Sequence, residues 1–156
     1  MPQILRDLPQ AEFGAPELVA LTMTAELADC FQTKRDGVEF VIRSVQAAYP
    51  DVPVRIWLTS GEFAEPDDAA ELPMLVAAAN WHALATWAGR AVPTGPGLLV
   101  DIGSTTTDVI PLMDGFPQTA GRTDQQRMAN SELVYTGTVR TPVCAVVKGV
   151  PWNGRH

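Results

Sequence analysis

LLVDIGSTTTDVIPL, residues 98–112, consists of two apolar runs on either side of a polar turn. The first run ends at the carboxylate of Asp101, and the second begins after the carboxylate of Asp108. Branched and apolar residues of this kind are typical of strands, and Gly103 allows the backbone between them to turn sharply. The stretch therefore predicts a β-hairpin with a carboxylate at each side of its turn.

The turn of this hairpin has the composition of a phosphate-binding loop. Hydroxyl groups beside backbone N–H groups suit phosphate oxygens, and the turn offers Gly103, Ser104, Thr105, Thr106 and Thr107. The flanking carboxylates cannot bind phosphate themselves, but they can hold Mg²⁺ or its waters, which offset the repulsion. A Walker loop needs Gly-Lys-Ser/Thr at the start of a helix, so this is a different device. An ordinary polar turn in a β-meander is the alternative.

The sequence before the hairpin predicts an α/β arrangement. Strand and helix patterns alternate over residues 18–24, 37–48, 54–59 and 68–88, which is typical of a parallel sheet covered by helices. After the hairpin, Asp114 and Gly115 predict a turn into a third strand around Phe116–Ala120, and therefore an antiparallel meander. Pro111 has no N–H, so we expect it to lie at an edge or to lack a ladder bond.

Composition divides the chain into three parts. Residues 1–17 are rich in Pro and Gly and are interpreted as a loose leader. Residues 18–92 are interpreted as the end of a first α/β lobe, and residues 97–156 as the start of a second lobe that carries the hairpin. The boundary is expected near Pro93–Gly97, a Pro/Gly-rich linker.

Charge and composition exclude several classes of partner. The net charge is −7 and no basic run occurs, which argues against nucleic acid and anionic membranes. No apolar run approaches transmembrane length, and the N-terminus resembles neither a signal nor a transit peptide, so we expect a cytoplasmic protein. Cys30 and Cys144 lack metal-ligand spacing and are expected as buried, reduced thiols. His82 has no carboxylate nearby in sequence and is expected to be a packed histidine.

Two polar clusters are further candidates for a site. Thr24, Glu26 and Asp29 follow a predicted strand, where open α/β sheets present functional groups; a capped helix is the alternative. Downstream, the guanidinium groups of Arg122, Arg127 and Arg140 suit a diphosphate or a carboxylate, with solvated surface positions as the alternative. The predicted substrate-binding residues are thus Thr24, Asp29, Arg122, Asp124, Arg127 and Arg140, with Thr123 or Asp124 expected to cap a short helix.

The hairpin also carries a family pattern. Asp-x-Gly-x-Thr-x-x-Asp, present as Asp101, Gly103, Thr105 and Asp108, resembles the phosphate hairpin of the actin, sugar kinase and Hsp70 ATPase superfamily. The longer blocks TMTAELADCF, NWHALATWAG, DIGSTTTDVIPL and SELVYTGTVRTPVCA resemble the hydantoinase/oxoprolinase-related branch linked to tetrahydromethanopterin one-carbon metabolism, which includes methanofuran-pathway synthases. The resemblance runs from about Leu18 to Arg155.

This resemblance implies a ribonuclease H-like mixed sheet with helices, incomplete here, followed by the antiparallel start of a second lobe. It implies that nucleotide or another phosphorylated small molecule binds between two lobes, so the remainder of the enzyme is an expected partner. Asp101 would position Mg²⁺, Asp108 would orient water or a further contact, and Glu26 would be a third catalytic carboxylate. Ala25 and Ser131 stand where the pattern has glycine.

Two reaction types are compatible with the resemblance. One is Mg²⁺-dependent displacement of diphosphate by an amine, which we favour, and the other is ATP-dependent amide hydrolysis of the hydantoin or oxoproline type. A non-catalytic binding module that retains the scaffold is a hypothesis of a different class. In either enzyme, catalysis would be electrostatic, through stabilisation of charge on the leaving oxygens.

Overall fold

A computed structural model describes residues 3–5 and 16–142 of the chain. The chain divides into two compact units, the first up to Leu84 and the second from Ala85 onward. This division lies upstream of the linker at which the sequence places the lobe boundary. The reason is packing, because a Cβ atom on Gly89 would lie 2.0 Å from the carbonyl oxygen of Gly115, which belongs to the second unit.

The first unit contains a three-stranded mixed sheet. Strands β1 (Val19–Leu21) and β2 (Val54–Trp57) are parallel, and helix α1 (Lys34–Ala48) connects them. Strand β3 (Phe63–Ala64) is antiparallel to β2, which gives the order β1-β2-β3. The predicted strand, helix, strand arrangement is therefore confirmed, with both strands shorter than predicted.

Helix α1 shows why this segment folds as it does. Thr33 and Asp36 form a capping box, which starts the helix three residues before the predicted Gly37. Apolar residues at helical spacing then bury one face against the sheet. They join a core made of Met23, Val38, Val41, Ile42, Val45, Val54, Ile56, Leu58, Ala69, Val76 and Ala77. Leu5, within the predicted leader, packs against this core, while residues 1–2 and 6–15 of that leader lie outside the described residues.

The single helix predicted over Asp68–Ala88 is wrong. Three helices occupy this region: α2 (Pro66–Glu71), α3 (Pro73–Val76) and α4 (Asn80–Ala88). Pro73 lacks an N–H and restricts Leu72, so the first break follows from covalent geometry. The second break is at Ala78, whose φ of 53° is left-handed. Within residues 3–5 and 16–142, the protein has no helix with the length and apolar character needed to cross a membrane.

The second unit is built around an antiparallel sheet. The predicted hairpin is formed by β4 (Pro96–Ile102) and β5 (Thr107–Met113), with Ile102 paired to Thr107 beside the turn. Strands β6 (Phe116–Pro117) and β7 (Leu133–Val134) both pair with β5. Helix α5 (Asp124–Ala129) precedes β7, and a capping box identifies Thr123 as its N-cap. The class is α/β, as predicted.

The turn between β5 and β6 and the position of Pro111 also match the sequence. Asp114 and Gly115 have φ angles of 50° and 85°, the backbone that a tight type I′ hairpin turn needs. The third strand is shorter than predicted and ends at Pro117. Pro111 pairs with Leu98, and its carbonyl accepts from the N–H of Gln118, just beyond the ladder of β6. Pro111 therefore lies in the gap between β6 and β7 along that edge of β5, where its lack of an N–H interrupts no ladder hydrogen bond.

One sequence departure is explained by backbone geometry. Ser131, where the family pattern has glycine, has a left-handed φ of 59° directly after α5. Cys30, expected to be buried, is exposed on the loop that precedes α1, and Cys144 lies outside the described residues.

Ser131→Gly should stabilise the protein by about 1 kcal/mol, since a side chain at a left-handed position costs roughly that much. Urea denaturation measures the change, and Ser131→Ala is the control because it keeps Cβ. Equal or lower stability of the glycine variant relative to the alanine variant would contradict the assignment of strain to this residue.

Candidate functional site

The polar turn of the β4–β5 hairpin is held by its own backbone at its base. Gly103 donates its N–H to the carbonyl of Thr106 at 2.8 Å. Ser104 is exposed, while Thr105 and Thr106 are half-buried. The hydroxyl-bearing residues therefore lie at the tip of a rigid two-stranded support, as the sequence predicts for this stretch.

A second segment, Thr136–Arg140, packs against this turn, and we call it the flanking segment. The N–H of Thr138 donates to the carbonyl of Gly103, and the N–H groups of Val139 and Arg140 donate to that of Ser104, at 2.9–3.0 Å. The Thr107 hydroxyl donates to the carbonyl of Thr136 at 2.8 Å. Two turn carbonyls, which would repel an anion, are thereby bonded to the flanking segment.

Glycine is needed where the flanking segment meets the turn. A Cβ atom on Gly137 would lie 2.4 Å from the Thr105 backbone nitrogen and 2.6 Å from the carbonyl oxygen of Ser104. Real side-chain carbons do not approach so closely, so only glycine fits without moving the turn. Nothing in the local sequence indicates this role of Gly137, because a close approach between distant segments leaves no local pattern.

Arg140 adds a positive charge beside the hydroxyls. Its Nη2 donates to the Thr105 hydroxyl at 3.2 Å, and its side chain is exposed. Both residues line a shallow pocket together with Val139, Thr141 and Pro142. A guanidinium next to a hydroxyl is suited to an anion such as phosphate.

The two motif carboxylates lie next to the turn, where the two strands of the hairpin meet it. Asp101 and Asp108 are directly paired in the register of β4 and β5, so they lie on the same face of the sheet. Like charges in this position repel. Arg127 offsets the repulsion: its Nη1 lies 2.7 Å from Oδ1 of Asp108, and its side chain is only 1% exposed. Asp101 is exposed, and is thus the carboxylate that solvent and ligands can reach.

Arg127 is also the centre of a buried polar network. Its Nη2 donates to the carbonyl of Glu132, and the Glu132 carboxylate accepts from the N–H groups of Ala120 and Gly121 at 2.6 and 3.0 Å. A Cβ on Gly121 would lie 2.5 Å from the backbone nitrogen of Arg127. The network fixes α5 and β7 against the hairpin. Arg127, which was predicted to bind substrate, is therefore buried beneath the site and bound to Asp108.

The remaining downstream candidates lie around α5. Arg122 is exposed, and its N–H donates to the Gln126 side chain at 3.0 Å. Asp124 lies in the first turn of the helix. Burial, together with the nearby Asp124 carboxylate, raises the pKa of Tyr135 above its ordinary value near 10, so this phenol stays protonated at neutral pH. Among the three predicted arginines, Arg140 donates a hydrogen bond to the turn, and Arg127 binds Asp108 next to it.

In the first unit, the upstream cluster separates into exposed and buried members. Thr24 is the N-cap of a 3-10 turn (Ala25–Leu27) without a side-chain cap bond, and Asp29 is exposed. Glu26 is 2% exposed, and its Oε1 accepts from the N–H of Ala78 at 2.6 Å. Burial and this hydrogen bond suit Glu26 to a structural role. The resemblance had instead implied a catalytic carboxylate at this position. Ala25 has no left-handed backbone, so it fits where the family pattern has glycine.

His82 is a packed histidine, as predicted. Trp57 donates its indole N–H to Nδ1 of His82 at 3.2 Å, and the histidine ring lies against the rings of Trp57 and Trp81.

The donor set around the turn fits phosphate and a hard cation. Serine and threonine hydroxyls and a guanidinium suit phosphate, while a carboxylate oxygen such as that of Asp101 suits Mg²⁺. Among residues 3–5 and 16–142, no three His, Cys, Asp or Glu side chains are grouped as a metal site. A cation at Asp101 would therefore share its coordination with phosphate oxygens and water, as Mg²⁺ commonly does.

Comparison with known proteins finds one family and two relatives that share a name. Residues 17–148 match the model of the Hydantoinase/oxoprolinase family. The chain is 41% identical over 151 residues to a protein of Methanocaldococcus jannaschii named (4-{4-[2-(gamma-L-glutamylamino)ethyl]phenoxymethyl}furan-2-yl)methanamine synthase, covering 97% of the chain and 45% of that protein. A Methanococcus vannielii protein of the same name is 52% identical over 46 residues, covering 30% of the chain and 20% of that protein. The chain thus spans less than half the length of these relatives.

Arg127→Ala should destabilise the protein by about 3–5 kcal/mol, because it leaves the Asp108 carboxylate without its partner beneath the hairpin. Arg122→Ala is the matched control and should change stability by less than about 0.5 kcal/mol. Guanidinium denaturation of both variants measures the difference. Similar stabilities for the two would show that the ion pair does not support the hairpin.

Proposed function

The chain belongs to the hydantoinase/oxoprolinase family, and we propose that it is the part of a larger enzyme that holds a phosphorylated small molecule at the turn of the β4–β5 hairpin. The observation that carries the proposal is the arrangement of the turn. Its hydroxyls lie at the tip, two of its carbonyls are bonded to the flanking segment, and Arg140 borders it. This arrangement favours an anion over a cation or an apolar ligand.

Each predicted residue of the turn has a place in this proposal. Gly103, Ser104, Thr105, Thr106 and Thr107 would bind phosphate oxygens. Asp101 would hold Mg²⁺, which supplies positive charge to the leaving oxygens when bound. Asp108 keeps the hairpin in register through its ion pair with Arg127, and so it would support the site without contacting the ligand. Thr24, Asp29, Arg122 and Asp124 remain candidates for contacts with the rest of the substrate.

The relatives' name points to the substrate class. It describes a product in which a phenol oxygen is joined to the methylene group of a furan. The group that would attack the furan methylene to form this product is therefore a phenol oxygen. The sequence led us to expect an amine in this role. We propose that a phenol attacks a furan-bearing methylene: a carbon–oxygen bond forms, the bond to diphosphate breaks, and diphosphate leaves with the electron pair. The phenol proton passes to solvent or to a base.

In this reaction the residues of the chain bind and orient the diphosphate. Hydroxyls of the turn stabilise charge on the leaving oxygens, and Arg140 adds a cation where that charge grows. The first lobe, which the remainder of the enzyme would complete, would enclose the other side of the substrate. We place the enzyme in cytoplasmic methanofuran- and tetrahydromethanopterin-linked one-carbon metabolism.

The family match also favours a second candidate function. Hydantoinases and oxoprolinases give the family its description, and an ATP-dependent amide hydrolase would use the same turn for the phosphates of ATP. A non-catalytic binding module is the third possibility. The released phosphate species distinguishes these functions, since diphosphate displacement gives pyrophosphate, ATP-dependent hydrolysis gives ADP and orthophosphate, and a binding module gives neither.

Asp101→Asn should lower kcat/KM by roughly 100-fold, on the scale of losing a positioned electrostatic group. The assay uses a chimera, meaning the Methanocaldococcus synthase with its matched region replaced by this chain. Asp114→Asn is the matched control, since Asp114 is an exposed carboxylate in a turn whose left-handed backbone asparagine tolerates. Full activity of the Asp101 variant would remove this carboxylate from the mechanism.

Arg140→Ala in the chimera should lower kcat more than it raises KM, because the charge on the leaving group develops in the transition state. Arg90→Ala, which removes an exposed arginine from the 3-10 turn Gly89–Ala91, is the control. Pyrophosphate and product should appear in equal amounts. Release of ADP and orthophosphate would instead favour the amide hydrolase, and a raised KM with unchanged kcat would assign Arg140 to ground-state binding.

A further inference from the structure

One face of the second unit's sheet is apolar and exposed. On β4, Leu98, Val100 and Ile102 are 61%, 47% and 60% exposed. Their partners on β5 lie on the same face, since paired residues of antiparallel strands point to the same side. We call the apolar part of this surface the outer face; it consists of Leu98, Val100, Ile102, Val109, Pro111 and Met113. Met113 is paired with Pro96, and Thr107, the partner of Ile102, is the polar residue at the turn end of the same face.

The opposite face of the same two strands is packed normally. Ile110 is fully buried and Leu112 is 4% exposed, and both alternate with the outer-face residues along β5. The sheet is therefore apolar on both sides, while residues 3–5 and 16–142 cover only one of them. Antiparallel sheets with one wet face ordinarily carry polar residues there. Contiguous exposed apolar surface of this kind marks an interaction site in soluble proteins.

We propose that the outer face is the docking surface for the part of the parent enzyme that lies outside this chain. More than half of the Methanocaldococcus relative lies beyond the matched region, since the match covers 45% of it. The outer face carries no charged side chain, so its chemistry selects an apolar polypeptide surface and disfavours a charged ligand or nucleic acid. A sheet with two apolar faces is the middle layer of a packed domain, and helices or a second sheet supply the missing layer.

This inference does not depend on the chemistry proposed for the turn. It concerns the assembly of the second unit, and its test needs neither substrate nor Mg²⁺. A failed docking experiment would contradict this inference alone, and a failed activity assay would contradict the proposed function alone.

The experiment measures binding between this chain and the companion polypeptides, meaning the pieces of the Methanocaldococcus synthase that lie outside the match. The chain alone should sediment as a monomer and should bind the co-expressed, purified companion polypeptides in a titration. Leu98→Lys combined with Val100→Lys should weaken binding by about 100-fold, because two apolar side chains would no longer be buried. Met74→Lys, at an apolar residue of α3 that is 53% exposed, is the matched control and should change affinity less than about threefold.

Circular dichroism and thermal melting of the double variant alone make each outcome decisive. Both substituted residues are exposed, so the variant should fold and melt as the unchanged chain does. Unfolding of the variant would show that this chain covers the face itself and would overturn the proposal. A dimer of the unchanged chain that the double substitution dissociates would assign the face to a second copy. Absence of binding, or binding that the double substitution leaves unchanged, would also overturn it.

Discussion

The ion pair between Asp108 and Arg127 is the contact on which the second unit depends. The hairpin motif contains two carboxylates, and the hairpin register places Asp101 and Asp108 directly opposite each other. Without a cation, that register would be disfavoured at the base of the turn. Arg127 supplies the positive charge. Because Arg127 belongs to α5, the ion pair also positions α5 against the hairpin. The exposed carboxylate can then face solvent while its neighbour is neutralised.

Glu132 and Glu26 show the same principle in the two units. Each is a buried carboxylate that accepts backbone N–H groups from another segment, Ala120 and Gly121 in one case and Ala78 in the other. Charge-assisted bonds of this type are stronger than bonds between neutral groups. Polar residues within a functional motif can therefore serve the architecture, and burial distinguishes them from the residues that meet a ligand.

Local patterns in the sequence were sufficient for part of the fold. The apolar spacing of α1, the alternation of the hairpin and the Asp114–Gly115 turn are properties of neighbouring residues, and the structure contains all three. The break at Ala78 was not predictable in this way, because a left-handed alanine depends on its bond to Glu26, 52 residues away.

The same distinction applies to the candidate site. Its turn is a contiguous motif, so the sequence identifies it. Arg127 was predicted to bind substrate, because its partner, Asp108, is distant in sequence and nothing in a short polar helix indicates burial. The contact between Gly137 and the turn is also non-local, and only folding brings the two segments together.

The flanking segment has a consequence for how this site could change during evolution. It holds the turn through backbone carbonyls and through a glycine that offers no side chain. The shape of the turn is thus largely independent of which side chains Ser104 and Thr106 carry. Mutations there can alter ligand preference while the scaffold persists, so one inherited loop could serve descendants with different substrates.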